Sequence, residues 1–181
     1  MASQSLAYRG RTIGVLLILL GAWGGIVPFI GPYLGFAYTP DKAWAYTSGR
    51  LWLSIVPAAA AILGGLMVLA SDAAALSGAF LAALGGIWFV IGPLVSAYKL
   101  ASYGIATGSP IASKGALFHP ATMRFLEQVG FFYGLGVVIL FFAAVSLGEV
   151  IVARMAARRY AQWQDAGLGV IEGTEEYGTA Y

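Results

Sequence analysis

The chain contains no cysteine and only one histidine, His119. The lack of cysteine excludes a disulfide framework, a thiolate metal site and a cysteine nucleophile. Charge is also scarce, because 10% of the 181 residues are charged, against about 25% in an average soluble protein. The net charge of +2 is too small for the clustered basic face of a nucleic-acid-binding protein. These shortages exclude soluble enzymes, nucleic-acid binders and disordered chains.

Apolar residues fill the gap, since they make up 60% of the chain and its mean hydropathy is +0.81. Four apolar segments each reach the ~20 residues that a helix needs to cross a bilayer. The sequence therefore predicts an all-α polytopic membrane protein with four transmembrane helices. The predicted spans are about 12–36, 51–70, 73–98 and 129–152.

Three regions follow from these spans: a cytoplasmic N-terminus (1–11), a four-helix transmembrane domain (12–163) and a disordered acidic C-terminal tail (164–181). The first span is predicted to be retained, because it runs past the length of a signal-peptide core without an A-x-A-like site. Lys and Arg near the span ends divide five against five between the two sides. The arginines beside the termini are more tightly clustered, which favours cytoplasmic termini in a bacterial plasma membrane; the inverse orientation is the alternative.

Spans 1 and 3 share the motif G-x-W-x-x-I-x-P-x-x-x-x-Y when the chain is aligned with itself without a gap. Its two copies are Gly21, Trp23, Pro28 and Tyr33, and Gly86, Trp88, Pro93 and Tyr98. An arginine, Arg50 or Arg124, precedes the span that follows each copy. The pattern predicts two tandem two-helix repeats of the same orientation in the membrane.

The motif resembles that of the SPW-repeat membrane proteins, a bacterial family of two-span units. The resemblance covers about residues 12–98 and rests on Trp23 with Val27-Pro28-Phe29, Gly31 and Trp44, and on Trp88 with Gly92-Pro93-Leu94. It departs from the family at the Ser and the Trp of the Ser-Pro-Trp triplet. The chain is also similar to four-span membrane proteins of actinobacteria. The resemblance implies a four-span fold and no particular activity.

Pro28 and Pro93 each remove a backbone donor and are predicted to kink or end their helices at the outer interface. The motif tryptophans and tyrosines are predicted to form an aromatic belt there; a ligand groove lined by the same rings is the alternative. Small residues at four-residue spacing, including Gly21-x-x-x-Gly25 and Gly130-x-x-x-Gly134, predict close helix packing within the chain or in a homodimer.

Only Glu149 places a charge within a predicted span, and charges inside a membrane are often functional. One interpretation is that Glu149 is a structural carboxylate that reaches the water at the headgroups. The other is that it binds a proton or a cation. No metal site is predicted, since His119 is expected in a solvated loop with Glu127 pairing with Arg124. No catalytic or cofactor motif occurs in the sequence.

The predicted function is that of a structural or accessory membrane subunit, a scaffold that contacts the lipid bilayer and either a membrane-protein partner or further copies of itself. The alternative is a small transporter or channel component with a path near Glu149. An enzyme is the least favoured class. No cofactor and no nucleic-acid partner is expected.

Overall fold

The computed structural model describes the backbone at residues 2–34, 42–97 and 119–178, and the side chains at 11–34, 42–96, 119 and 121–164. Within these residues the protein is all-α, as predicted, and contains no strand. Short 3₁₀ and π-helical segments adjoin the helices. The elements are α1 (Ala2–Ile30) with a 3₁₀ turn (Gly31–Leu34), α2 (Ser48–Arg50), the first π segment (Leu51–Ile55), α3 (Val56–Ala70), α4 (Asp72–Ala97), α5 (Pro120–Gln128), the second π segment (Val129–Tyr133) and α6 (Gly134–Gly178).

Four stretches are long and apolar enough to cross a membrane, which confirms the predicted number of spans. They are Arg11–Leu34, Ser48–Ala70, Asp72–Ser96 and Ala121–Gln164. The C-terminal region differs from the prediction, because α6 continues to Gly178 where a disordered tail is expected from residue 164. No proline follows Trp163 to interrupt the helix, and extension of an existing helix avoids the cost of nucleation.

The four long helices form a ring in which α3 packs against α1 and α4, and α4 packs against α6, while a smaller contact between α6 and α1 closes the ring. Side chains occupy the middle of this ring. The largest of them, Leu17, Phe89, Phe132 and Ile139, have no exposed surface. The described part of the centre is therefore filled with apolar atoms.

Pairs of glycines hold neighbouring helices in backbone contact, as the small-residue spacing predicts for packing within the chain. A Cβ atom on Gly86 would lie 2.9 Å from the Gly136 carbonyl oxygen, and one on Gly136 would lie 2.6 Å from the Gly86 oxygen. Gly14 with Gly65 makes the corresponding contact between α1 and α3, and Gly64 with Gly78 makes it between α3 and α4. Gly130 is an exception to the prediction, because a Cβ there would meet nothing within 4 Å.

Buried positions recur along the chain with one constant offset for each pair of helices. When Gly21 is aligned with Gly86, the buried residues Ile13, Leu17, Gly21, Gly24, Val27 and Pro28 of α1 fall on the buried residues Gly78, Ala82, Gly86, Phe89, Gly92 and Pro93 of α4. When Leu53 is aligned with Phe131, the buried residues Leu53, Ser54, Pro57, Ala58, Ala61 and Gly65 fall on Phe131, Phe132, Leu135, Gly136, Ile139 and Ala143, which are also buried. The tandem repeat stays a prediction, and this recurrence supports it.

Candidate functional site

The two π segments lie at the end of the bundle that also holds Pro28 and Pro93, here called the proline end. π-Helical turns are rare and are frequently found at functional sites. In the first segment, the N–H of Val56 donates to the Leu51 carbonyl instead of the Trp52 carbonyl, which would be its α-helical partner. The residue one place further on is Pro57, which has no N–H. Neither helical donor is therefore directed at the Trp52 carbonyl.

Trp88 of α4 supplies the missing donor. Its indole Nε1–H donates to the Trp52 carbonyl oxygen at 2.7 Å. Trp52 is 39% exposed, so this carbonyl lies near the outer surface of the bundle, and the indole supplies the donor that the helix does not. The motif tryptophan thus stabilises the wide turn of a neighbouring helix.

Trp23, the other motif tryptophan, lies against the second π segment. The centroid of its ring is 6.2 Å from that of Phe131, with the two planes tilted by 44°. Each motif tryptophan therefore contacts the π segment of the other half of the chain, where the halves are α1 with α3 and α4 with α6. This crossed arrangement assigns the tryptophans a packing role at the proline end.

Neither motif proline ends its helix, so that part of the prediction is wrong. Pro28 and Pro93 are buried inside α1 and α4, and these helices continue to Ile30 and Ala97. The fixed φ of proline is a helical value, so a helix can extend beyond it even though one hydrogen bond is lost. Ser96 Oγ donates to the Pro93 carbonyl at 3.1 Å in the turn that follows.

The motif glycines occupy closely matched environments. A Cβ on Gly21 would lie 2.8–3.1 Å from atoms of Ala58, Ala61 and Ile62, and a Cβ on Gly86 would lie 2.9–3.1 Å from atoms of Gly136, Ile139 and Leu140. The second set of neighbours is the counterpart of the first, residue by residue, in the alignment that places Leu53 on Phe131. Tyr33 is exposed, as a belt residue would be, and Tyr98 lies outside the described residues.

Arg50 organises the chain that leads into the first π segment. Its side chain is 3% exposed, and its guanidinium donates to the carbonyls of Ala45 at 2.7 Å and Lys42 at 3.1 Å. It also lies 5.6 Å from the ring centroid of Phe29. Trp44, which packs on the same Phe29 ring, has a positive φ of 57°, a strained value for a bulky residue.

Arg124 does not correspond to Arg50, although the sequence pattern pairs them. Arg124 is exposed on α5, whereas Gln128 takes the position of Arg50 immediately before the second π segment. Gln128 Nε2 donates to the hydroxyl of Tyr133 at 3.2 Å. The two halves therefore begin their second spans with different chemistry.

Glu127 is 2% exposed, whereas Arg124, its expected partner, is exposed; the pairing of the two stays a prediction. Glu127 follows the buried Met123 by four residues on α5, and residues four apart share one face of a helix. His119 is exposed, and its Nδ1 accepts from the Ala121 N–H at 3.4 Å at the start of that helix. Within the described ranges, no three His, Cys, Asp or Glu residues come together as metal ligands would.

Glu149 lies on α6, partly exposed, near the opposite end of the bundle. That end, here called the turn end, contains the α3–α4 connection at Ser71. Arg154 marks the level of the connection, because its guanidinium donates to the carbonyls of Asp72 and Ala73 at 3.4 Å each. The structure therefore places the motif tryptophans and prolines toward the proline end, with Gly21 and Gly86 near the middle of their spans, and Glu149 lies away from the tryptophans and prolines.

Comparisons with known proteins add no family to this description. No protein-family model matches the chain, and neither a curated protein nor a solved structure matches it. The resemblance to the SPW-repeat proteins accordingly stays a prediction.

Sequence reasoning missed the roles of Pro57 and Gln128 at the proline end and of Phe89 in the centre of the bundle. A signal for Pro57 was present, because a proline one turn inside an apolar span predicts a distorted turn that needs an outside donor. No signal marked Phe89 as the central residue, since it is one of many large apolar residues in the spans.

Proposed function

We propose that the chain is a non-enzymatic integral membrane protein of the bacterial plasma membrane that acts as a scaffold or accessory subunit. The observation that carries the proposal is the filled centre of the bundle, where Leu17, Phe89, Phe132 and Ile139 are fully buried. A filled centre leaves the outer surfaces of the helices for interaction with lipid and with other membrane proteins.

The motif residues support the same proposal. Trp88 and Trp23 contact π segments, and the motif glycines allow close approach of helices. All four act between helices of this chain, so their spacing follows from packing rather than from recognition of a small ligand. Tandem duplication of a two-helix unit, with both units in the same orientation, is part of the proposal.

A flux measurement tests the proposal against the alternative of a transporter or channel with a path near Glu149. Purified protein would be reconstituted in proteoliposomes, and proton and monovalent-cation flux would be compared for the unmodified chain, Glu149→Gln and empty vesicles. We expect background flux in all three. Flux above background that Glu149→Gln abolishes would overturn the scaffold proposal.

The proposed topology has its own test. Reporters fused after Tyr181 and inserted near Ser109 would be assayed on both sides of the membrane. We expect the C-terminal reporter on the cytoplasmic side and the other on the outer side. Both reporters on one side would contradict a four-span topology, and an exchange of sides would contradict the orientation only.

Protein partners would be identified by cross-linking in intact membranes and purification in a mild detergent, followed by mass spectrometry. A scaffold predicts stoichiometric recovery of another membrane protein or of a second copy. Recovery of the monomer alone, under conditions in which a known membrane complex stays intact, would contradict the scaffold role.

A further inference from the structure

The part of α6 that extends beyond the bundle carries an exposed surface, Val152–Trp163, that the packing described above does not use. Every residue from Ile151 to Gln164 is exposed. Arg154 reaches the α3–α4 connection, so residues after it stand beyond the turn end. The large apolar residues of this surface are Val152, which precedes Arg154, and Met155, Tyr160 and Trp163, which follow it.

These residues continue the lipid-facing stripe of α6. Within the bundle the exposed stripe consists of Val138, Phe141 and Val145, and it reaches the turn end at Val152; this spacing of three, four and seven residues keeps them on one helix face. The same face continues through Met155, Arg159 and Trp163. Because the two parts share one face, the surface that meets lipid inside the membrane is continuous with the surface beyond its edge.

Charge along this stretch has one sign. Arg154, Arg158 and Arg159 are the only charged residues between Glu149 and Asp165, and all three are exposed. Arginine binds phosphate with a planar set of donors, and basic residues next to a membrane-spanning helix are attracted to anionic lipid. The next charged groups along the chain are acidic: Asp165, Glu172, Glu175 and Glu176.

Arg158 and Arg159 lie at the height of a headgroup layer, whereas Trp163 stands beyond it. At about 1.5 Å per residue, Arg158 stands about 6 Å beyond Arg154, and Trp163 about 14 Å beyond it. The headgroup region is roughly 5–8 Å thick on each side of a bilayer. Side chains of a helix lean toward its N-terminus, which here is the membrane side, so Tyr160 reaches back toward the lipid.

We propose that Val152–Trp163 is a binding surface for anionic phospholipid headgroups, with Arg158 and Arg159 on the phosphates and Tyr160 as the interfacial anchor. A second copy of the chain fits this face less well. Two copies in one membrane would have parallel α6 helices, which would bring Arg159 against the Arg159 of the other copy, and like charges oppose such a contact.

Lipid titration of the full-length protein in detergent, followed by native mass spectrometry, tests the proposal. The probes are phosphatidylglycerol and phosphatidylcholine with identical acyl chains. The variant Arg158→Gln/Arg159→Gln removes two positive charges from the proposed surface. The matched control Lys42→Gln/Arg124→Gln removes two exposed positive charges at the proline end.

We expect the Arg158→Gln/Arg159→Gln variant to bind phosphatidylglycerol on the order of tenfold more weakly, and the control variant to bind it as the unmodified chain does. Phosphatidylcholine binding should be weaker and equal for all three proteins. Equal phosphatidylglycerol binding by both variants, or equal binding of the two lipids by the unmodified chain, would overturn the proposal.

Because the chain has no cysteine, Ala156→Cys introduces a single thiol on the proposed surface. In bilayers with phosphatidylglycerol, we expect a fluorophore on this thiol to be quenched by headgroup-labelled lipid, and little disulfide cross-linking between copies. Efficient cross-linking without quenching would show that a second copy covers the face, and would overturn the lipid assignment.

Discussion

The two halves of the molecule, α1 with α3 and α4 with α6, bury corresponding positions yet differ where they meet. Gly24 and Phe89 occupy corresponding positions when Gly21 is aligned with Gly86. A Cβ on Gly24 would lie 2.5 Å from the Phe89 ring, so the two positions face each other in the centre. Two phenylalanines could not both fit there, whereas one ring against one glycine fills the space.

The halves also differ at their second spans. The first half has Arg50 and Pro57 around its π segment, and the second has Gln128 and Leu135. The first half therefore needs an outside donor for the Trp52 carbonyl and has a charged anchor for its loop. The two halves therefore use corresponding positions for helix packing, but they have different polar residues and hydrogen bonds at the proline end.

The largest effects are expected from Gly21→Val and Gly86→Val. Each substitution places side-chain atoms against a carbonyl of the next span. We expect each to lower the free energy of unfolding by about 3 kcal/mol or more, because the backbone must shift to make room for the added atoms. Chemical denaturation in mixed micelles measures the change. Gly148→Val is the control, because its site is open. If Gly21→Val and Gly86→Val lower the free energy of unfolding by very different amounts, the two halves are not equivalent in their packing.

Arg50→Gln gives the first half the residue that the second half has at this position. It should lower the free energy of unfolding by about 1.5–3 kcal/mol, the range for hydrogen bonds to a charged group. Its loop should become sensitive to limited proteolysis near Ala45. Arg11→Gln, at an exposed position outside this loop, is the control and should change neither quantity measurably. Equal protease resistance of Arg50→Gln and the unmodified protein would contradict the anchoring role.

Trp88→Phe keeps an aromatic ring but removes the donor to the Trp52 carbonyl. We expect a loss of about 1 kcal/mol in the free energy of unfolding, the net contribution of a typical hydrogen bond. In the Pro57→Ala background a backbone N–H returns near this carbonyl, so the same substitution should cost less. An additive double-mutant cycle would exclude the proposed link between Pro57 and Trp88. Trp23→Phe, which retains ring contact with Phe131, should have a smaller effect.

Pro28→Ala and Pro93→Ala should have the smallest effects, within about 1 kcal/mol of the unmodified protein. Each restores one helical hydrogen bond and loses part of a buried ring, and the position near a helix end limits the gain below the ~3 kcal/mol associated with an interior proline. Matched thermal unfolding measures both variants. A marked gain in only one of them would show that the prolines strain the two halves unequally.

Much of the architecture could be predicted because each span carries its signal locally. Long apolar runs predict membrane helices whatever surrounds them, since a spanning segment must satisfy its own backbone. The tail after Trp163 was predicted less well, because its glycines and acidic residues resemble disorder while the adjoining helix supports continuation to Gly178. The site was predicted only as a spacing of Gly, Trp, Pro and Tyr, without the partners of these residues.

The sequence by itself determined the membrane class, the four spans and the constant offset that relates α1 to α4, because hydropathy and spacing are properties of the chain alone. Only the tertiary structure decided that Trp88 donates to Trp52, that Arg50 is buried and Arg124 exposed, and that Gly24 faces Phe89. These contacts join residues from different helices. Their geometry depends on how the helices pack, which no local pattern encodes.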